Sequence, residues 1–121
     1  MTDGMGNDVV TIVAEGLGFC EGPAVLPDGD LVVVDVRGGR LVRIAADGTT
    51  SDLATPGGGP NGIAVAPDGS LLVVNNGGFP WIVMGGVMVP IDASGSNRPD
   101  GFAGGWVDRI DPTTGAVTRL L

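Results

Sequence analysis

The block EGPAVLPDGDLVVVD, from Glu21 to Asp35, returns at a spacing of 40 residues as NGIAVAPDGSLLVVN, from Asn61 to Asn75. At that offset Pro27-Asp28-Gly29 falls on Pro67-Asp68-Gly69, Glu21 on Asn61, and Asp35 on Asn75. Self-similarity at this period is the mark of a modular architecture built from one repeated supersecondary unit. Each block is a short apolar run, a Pro-Asp-Gly turn and a second apolar run, the pattern of an antiparallel hairpin. The chain should therefore be all-β. With 23 Gly and 9 Pro in 121 residues, turns are dense, and 43% apolar content is too high for a disordered segment.

Taken in order, residues 1–8 are rich in Gly, Asp and Asn and should form a flexible terminus. The β-branched run Val9–Val13 reads as a strand, and Gly16–Phe19 as a turn leading to Glu21. Strands follow at Ala24–Leu26, Leu31–Val36, Arg40–Ala45 and Ser51–Ala54, separated by turns at Pro27–Asp30, Gly38-Gly39 and Asp47-Gly48. Leu31–Val34 is apolar without alternation, as in a strand buried on both faces. The first unit, about 21–55, thus has four strands, the last the most polar. Ala54–Pro60 links it to the second unit, 61–121. There Arg109-Ile110 matches Arg43-Ile44 at a spacing of 66, so about 26 extra residues lie between, near 79–105. That insertion holds Phe79, Trp81 and Phe102, two of the three Phe and one of the two Trp. A long loop with this content, and no obvious period, suits a lid over a site.

What is missing narrows the chemistry. The chain has no His, Lys or Tyr, which excludes a Ser-His-Asp triad, a lysine Schiff base and a phosphate-binding P-loop lysine within it. Cys20 is the single cysteine, so no internal disulfide or multi-cysteine zinc site can form, and a reducing, cytoplasmic setting is expected. A net charge of −8 argues against nucleic acid. No apolar run reaches the roughly 20 residues of a membrane helix, and no signal peptide is expected. Gly57, Gly59 and Gly62 match G-x-G-x-x-G, but a strand rather than a helix follows them, so no dinucleotide site is expected.

Four-stranded units of this length, stacked face to face, are the blades of a β-propeller. Moreover, FCEGPAVLPDGDLVVVDVRGGRLVRIAADG resembles the first blade of the senescence marker protein (regucalcin)/gluconolactonase/luciferin-regenerating-enzyme family. PNGIAVAPDGSLLVVNNGGF and GGWVDRIDPTTGAVTRLL resemble its second blade, insertion included. The likeness runs over residues 9–121; Cys20 stands where the family usually has Pro. It implies about two blades of a six-bladed propeller whose members hold a divalent cation in a central channel and mostly hydrolyse lactones or related esters. By this resemblance Glu21 corresponds to the first-blade metal carboxylate and Asn61 to a substrate-contacting residue. The family's other ligands, an Asn and an Asp that also serves as general base, lie on later blades that these 121 residues do not contain.

The cation would be Ca²⁺ in the first place, with Zn²⁺, Mg²⁺ or Mn²⁺ as other candidates. Glu21 and Asn61 offer the oxygen donors that Ca²⁺ and Mg²⁺ take, and they should face one axial channel. Glu15 and Glu21 are the only Glu beside 12 Asp, most of which sit in turns. Asp35 and Asn75, equivalent positions, should bind neighbouring loops. Two readings of function follow: a fragment resembling a metal-dependent lactonase that acts on a small lactone or ester, or a non-catalytic propeller module that binds a ligand or assembles with partners. Val32, Val34, Leu72 and Val74 should line apolar faces left open at the ends of a two-blade unit. Three copies closing into six blades, a homotrimer, would cover them.

Overall fold

A computed structural model describes residues 9–121. The flexible terminus expected at 1–8 lies outside the described residues. Ten strands are present: β1 (Cys20–Val25), β2 (Leu31–Asp35), β3 (Arg40–Ile44), β4 (Thr50–Ala54), β5 (Pro60–Val65), β6 (Leu71–Asn75), β7 (Ile82–Met84), β8 (Val87–Val89), β9 (Trp106–Ile110) and β10 (Val117–Arg119). They form two antiparallel four-stranded sheets, β1-β2-β3-β4 and β5-β6-β9-β10, with β7-β8 as a separate hairpin inserted between β6 and β9. No helix occurs among the described residues. The architecture is that of a partial β-propeller, two blades of four strands each.

The repeat is visible bond by bond. In the first blade Gly29 N donates to Leu26 O and Leu26 N to Asp30 O; in the second Gly69 N donates to Ala66 O and Ala66 N to Ser70 O. Asp28 Oδ1 accepts from Asp30 N as Asp68 Oδ1 accepts from Ser70 N, the Asx turn that makes Pro-Asp-Gly a tight reversal. Gly29 and Gly69 take φ near +90°, at 93° and 87°, which explains the glycine at this place in both copies.

The core lies between the blades. Leu26, Val32, Val34, Val36, Leu41 and Ala54 of the first pack against Leu71, Val73 and Ile110 of the second. Thus the odd-numbered face of β6 seats on the even-numbered face of β2. This corrects the expectation that Val32 and Val34 line an open face: both are fully buried at the blade–blade contact. Each such side chain contributes about 1.5–3 kcal/mol of burial. The open face belongs to the second blade, where Val74 is 52% exposed and Leu72 half-buried. On the far side of the first blade Val33, Val42 and Ile44 form a smaller cluster, covered by Ala14 and Leu17. With apolar contacts on both faces, β2 suits the unbroken run Leu31–Val34.

Two further expectations are corrected. Val9–Val13 joins no ladder; it is extended and exposed beside the first blade. The insertion is not structureless, since Ile82–Val89 forms a hairpin around Gly85-Gly86, both at positive φ. Two apolar triplets flanking Gly-Gly are a short-range hairpin signal.

Candidate functional site

Glu21 and Asn61 lie inside β1 and β5, the inner edge strands, rather than ahead of them. Each strand is irregular at this place: the β1–β2 register shifts between Glu21 and Ala24, and the β5–β6 register between Pro60 and Gly62. Bulges re-aim side chains out of the pleat. Both residues are exposed. The two strands approach closely, because each site residue is followed by glycine. A Cβ on Gly22, whose φ is 47°, would stand 3.0 Å from Gly62 Cα and 3.1 Å from Asn61 O. A side chain at position 22 would press on the β5 backbone and hold a strained positive φ just where the two oxygen-bearing residues begin.

The loops around these strands are tied by the two equivalent residues at the ends of β2 and β6. Asp35 is 2% exposed. Its carboxylate accepts from Gly18 N (3.2 Å), Phe19 N (3.0 Å), Gly38 N (2.9 Å) and Arg40 Nε (3.0 Å). Burial alone would raise its carboxyl. The amides of Phe19, Gly38 and Gly18, with the Arg40 guanidinium, outweigh that and hold it below the ordinary carboxylate value. Asn75 Oδ1 accepts from Gly59 N and Gly77 N, while its Nδ2 donates to Gly57 O. The two residues therefore clamp loops, as their place in the repeat suggested. The Asp-to-Asn change has a reason: only an amide can donate to the Gly57 carbonyl.

The insertion's aromatic residues gather at the same end. The Trp81 ring lies 5.2 Å from that of Phe19, two residues before Glu21, and 6.0 Å from that of Phe79. Phe79 and Trp81 also pack against the inter-blade core. Phe102 sits over the loop after β6, against Gly77, with the Arg98 guanidinium 5.2 Å from its ring centre. Sequence reasoning missed Asn76. Its Oδ1 accepts from Gly78 N, but its Nδ2 is buried and has no partner among the described residues. The doubled Asn after β6 was the only signal.

Cys20 is exposed at the start of β1. Desolvation and the Asp35 charge push its thiol up, with Arg40 pulling the other way, so it is no thiolate nucleophile at neutral pH.

A cleft of about 940 Å³ lies elsewhere. It lies between the blades at the Pro-Asp-Gly end, lined by Pro27, Asp28, Arg43, Asp68, Arg109 and Asp111 among others. β1 runs from Glu21 towards that turn, so the cleft is at the opposite end of the sheets from Glu21. Its arginines already have partners: Arg43 binds Asp30 (2.9 Å) and Asp28, and Arg109 binds Asp68 (3.4 Å). We read it as a salt-bridged seam and place the candidate site at the other end.

Deleting the hairpin Ile82–Val89 should leave the fold intact, since Val83, Met84 and Val87 are exposed by 54–64%. Trp81→Ala, by contrast, should cost about 2–3 kcal/mol, because it empties a place against the core. The urea midpoints of the two variants check this contrast.

No protein-family model matches the chain, and no curated protein matches it. Two solved structures are similar in part. One is a catalytically inactive variant of virginiamycin B lyase from Staphylococcus aureus, with quinupristin: 22% identity and a TM-score of 0.46, over 84% of this chain and 40% of that one. The other is a candidate gluconolactonase: 20% identity and a TM-score of 0.36, over 88% of this chain and 50% of that one. The chain spans half or less of each. At these identities and TM-scores neither activity nor substrate follows for this chain.

Proposed function

We propose that the chain forms two blades of a divalent-cation-dependent hydrolase of small lactones or related esters, with Glu21 as a metal ligand and Asn61 as a substrate contact. What supports this most is the closure of β1 on β5 through Gly22 and Gly62, which sets the two bulged segments bearing Glu21 and Asn61 side by side. The donor chemistry fits a hard cation, since both side chains present oxygen. The shell is partial: among the described residues no three His, Cys, Asp or Glu side chains cluster as a metal site would. The other positions would come from further blades, in this polypeptide or in other copies such as a homotrimer completing six blades.

A bound cation would supply a polarised substrate carbonyl and a more acidic water. The chain's own contribution is positional. The Glu21 carboxylate supplies the charge, and the Asn61 amide both donates to and accepts from a lactone's oxygens. Phe79, Trp81 and Phe102 would wall the mouth with apolar surface, as small-molecule sites commonly do.

Calorimetric titration with Ca²⁺ tests the metal role without relying on turnover. With so few ligands, binding to this chain should be weak, on the order of 10⁻³ M. Glu21→Gln should weaken it about tenfold, and Glu15→Gln should leave it unchanged. Equal binding by the wild type and Glu21→Gln would sink the assignment. A pH-stat assay on a δ-lactone, with and without Ca²⁺, then tests the reaction class.

A further inference from the structure

We infer that Asn61-Gly62 is a self-modification site, at which the Asn61 amide becomes a carboxylate in the folded chain and sets a second acid beside Glu21. Asn-Gly occurs twice in the sequence, at 61-62 and at 76-77. The chemistry needs only these two residues and water. The backbone nitrogen of the glycine attacks the asparagine Cγ; a C–N bond forms, and the side-chain nitrogen leaves as ammonia. Water then opens the cyclic imide at either carbonyl, giving Asp or its β-linked isomer. Nothing is oxidised or reduced, and one negative charge is gained. Glycine favours the attack, because no Cβ crowds its nitrogen and its backbone turns freely.

The structure treats the two pairs differently. At 76-77 the attacking nitrogen is engaged, since Gly77 N donates to Asn75 Oδ1 at 2.9 Å. The amide under attack is held as well: Asn76 Oδ1 accepts from Gly78 N at 2.8 Å, and its Nδ2 is buried. Gly77 is also boxed in, at a φ of 89°, with Gly104 O only 2.4 Å from where a Cβ would stand. At 61-62 the restraints are fewer. Asn61 is exposed and lies on β5, the edge strand of its sheet. The β5–β6 register breaks between Pro60 and Gly62, which leaves Asn61 as the unpaired residue of a bulge. A residue outside the ladder can turn its side chain back on the next amide without breaking cross-strand bonds.

The consequence for cation binding rests on the reading of Glu21 as a metal ligand. The Asn61 carbonyl lies against Gly22, so the new carboxylate stands next to the strand position that bears Glu21. Affinity for Ca²⁺ rises with the charge of the ligand set. A carboxylate accepts but does not donate, so the same change removes the Asn61 donor to substrate. The chain would thus exchange a substrate contact for a second metal ligand as it ages.

The test incubates the full chain in mildly alkaline buffer, folded and in urea, and reads both positions by fragmentation mass spectrometry. Arg98 precedes Pro99, so cleavage after arginine leaves both pairs on one peptide, between Arg43 and Arg109. In the folded chain residue 61 should become acid, with the β-linked isomer present, while Asn76 keeps its amide. In urea both should convert. Gly62→Ala should block conversion at 61; its Cβ would meet only the tip of Val74, an exposed side chain, at 3.2 Å. A folded chain that keeps the Asn61 amide while the urea sample loses it overturns the inference, as does equal conversion of Asn61 and Asn76 in the folded chain. Calorimetry then separates the second step. Asn61→Asp should bind Ca²⁺ about tenfold more tightly than the wild type, and Glu21→Gln in that background should remove the gain. Conversion without any gain in Ca²⁺ affinity overturns the pairing with Glu21, and the metal reading of Glu21 with it.

Discussion

Asp35→Ala is expected to lower the unfolding free energy by about 3 kcal/mol, the largest loss from any single polar side chain in the first blade. The carboxylate is nearly inaccessible and accepts four hydrogen bonds, three from backbone amides and one from Arg40. Truncation leaves those donors without an acceptor and releases the segment Gly18–Phe19 that leads into Glu21. Asp35→Asn should cost about half as much. Its NH₂ would face donors, Gly18 N and Arg40 Nε, where Asn75 in the second blade faces the Gly57 carbonyl. The pH dependence has a definite sign. The folded carboxyl is held below its unfolded value near 3.9. Its contribution is therefore fully present above about pH 4 and is lost as pH falls through the lower folded value. Urea midpoints between neutral pH and pH 3 should show an acid decline in the wild type that is shallower in Asp35→Ala.

The repeat made much of this legible in advance. Forty-residue spacing, Pro-Asp-Gly turns and unalternating Leu31–Val34 are local signals, and local hydrogen bonds enforce them: the Asx turns of Asp28 and Asp68 form the same way wherever such a hairpin forms. Asp35 and Asn75 could be read as loop anchors because their places in the two copies coincide. The faces could not be read. Val32, Val34, Leu72 and Val74 look alike in sequence, yet the first two are buried between blades while Val74 is 52% exposed. Which face meets the neighbour depends on the stacking of one sheet on another, a property of the pair of blades. Val9–Val13 has strand propensity and no ladder for a related reason, since propensity does not supply a partner. The site is legible in part. Glycines after Glu21 and Asn61 have meaning only once β1 is seen to press on β5. The orphaned amide of Asn76 is visible only in three dimensions.

Arg119→Ala should destabilise the second blade by about 2–3 kcal/mol although Arg119 is itself half exposed. The reason lies in its partner. Asp108 is fully buried on the face that meets the first blade and has two donors, Trp106 Nε1 at 2.7 Å and Arg119 Nε at 2.9 Å. The Arg119 guanidinium also lies 4.0 Å from the centre of the Trp106 ring. Removing it leaves a buried carboxylate with one neutral donor, which is costlier than losing the attraction of the pair. The repeat supplies the contrasting case. Asp108 pairs with Arg119 across β9 and β10 at the place where Val42 pairs with Asp52 across β3 and β4. Val42, buried at 1%, fills that place without any charge. The double variant Asp108→Val/Arg119→Leu should therefore recover most of the loss seen in Arg119→Ala, because both the buried charge and its partner are gone and Trp106, only partly buried, can donate to water. Chemical denaturation of wild type, Arg119→Ala and the double variant decides it. If the double variant is less stable than Arg119→Ala, the ion pair contributes net stability here rather than only offsetting the burial of Asp108.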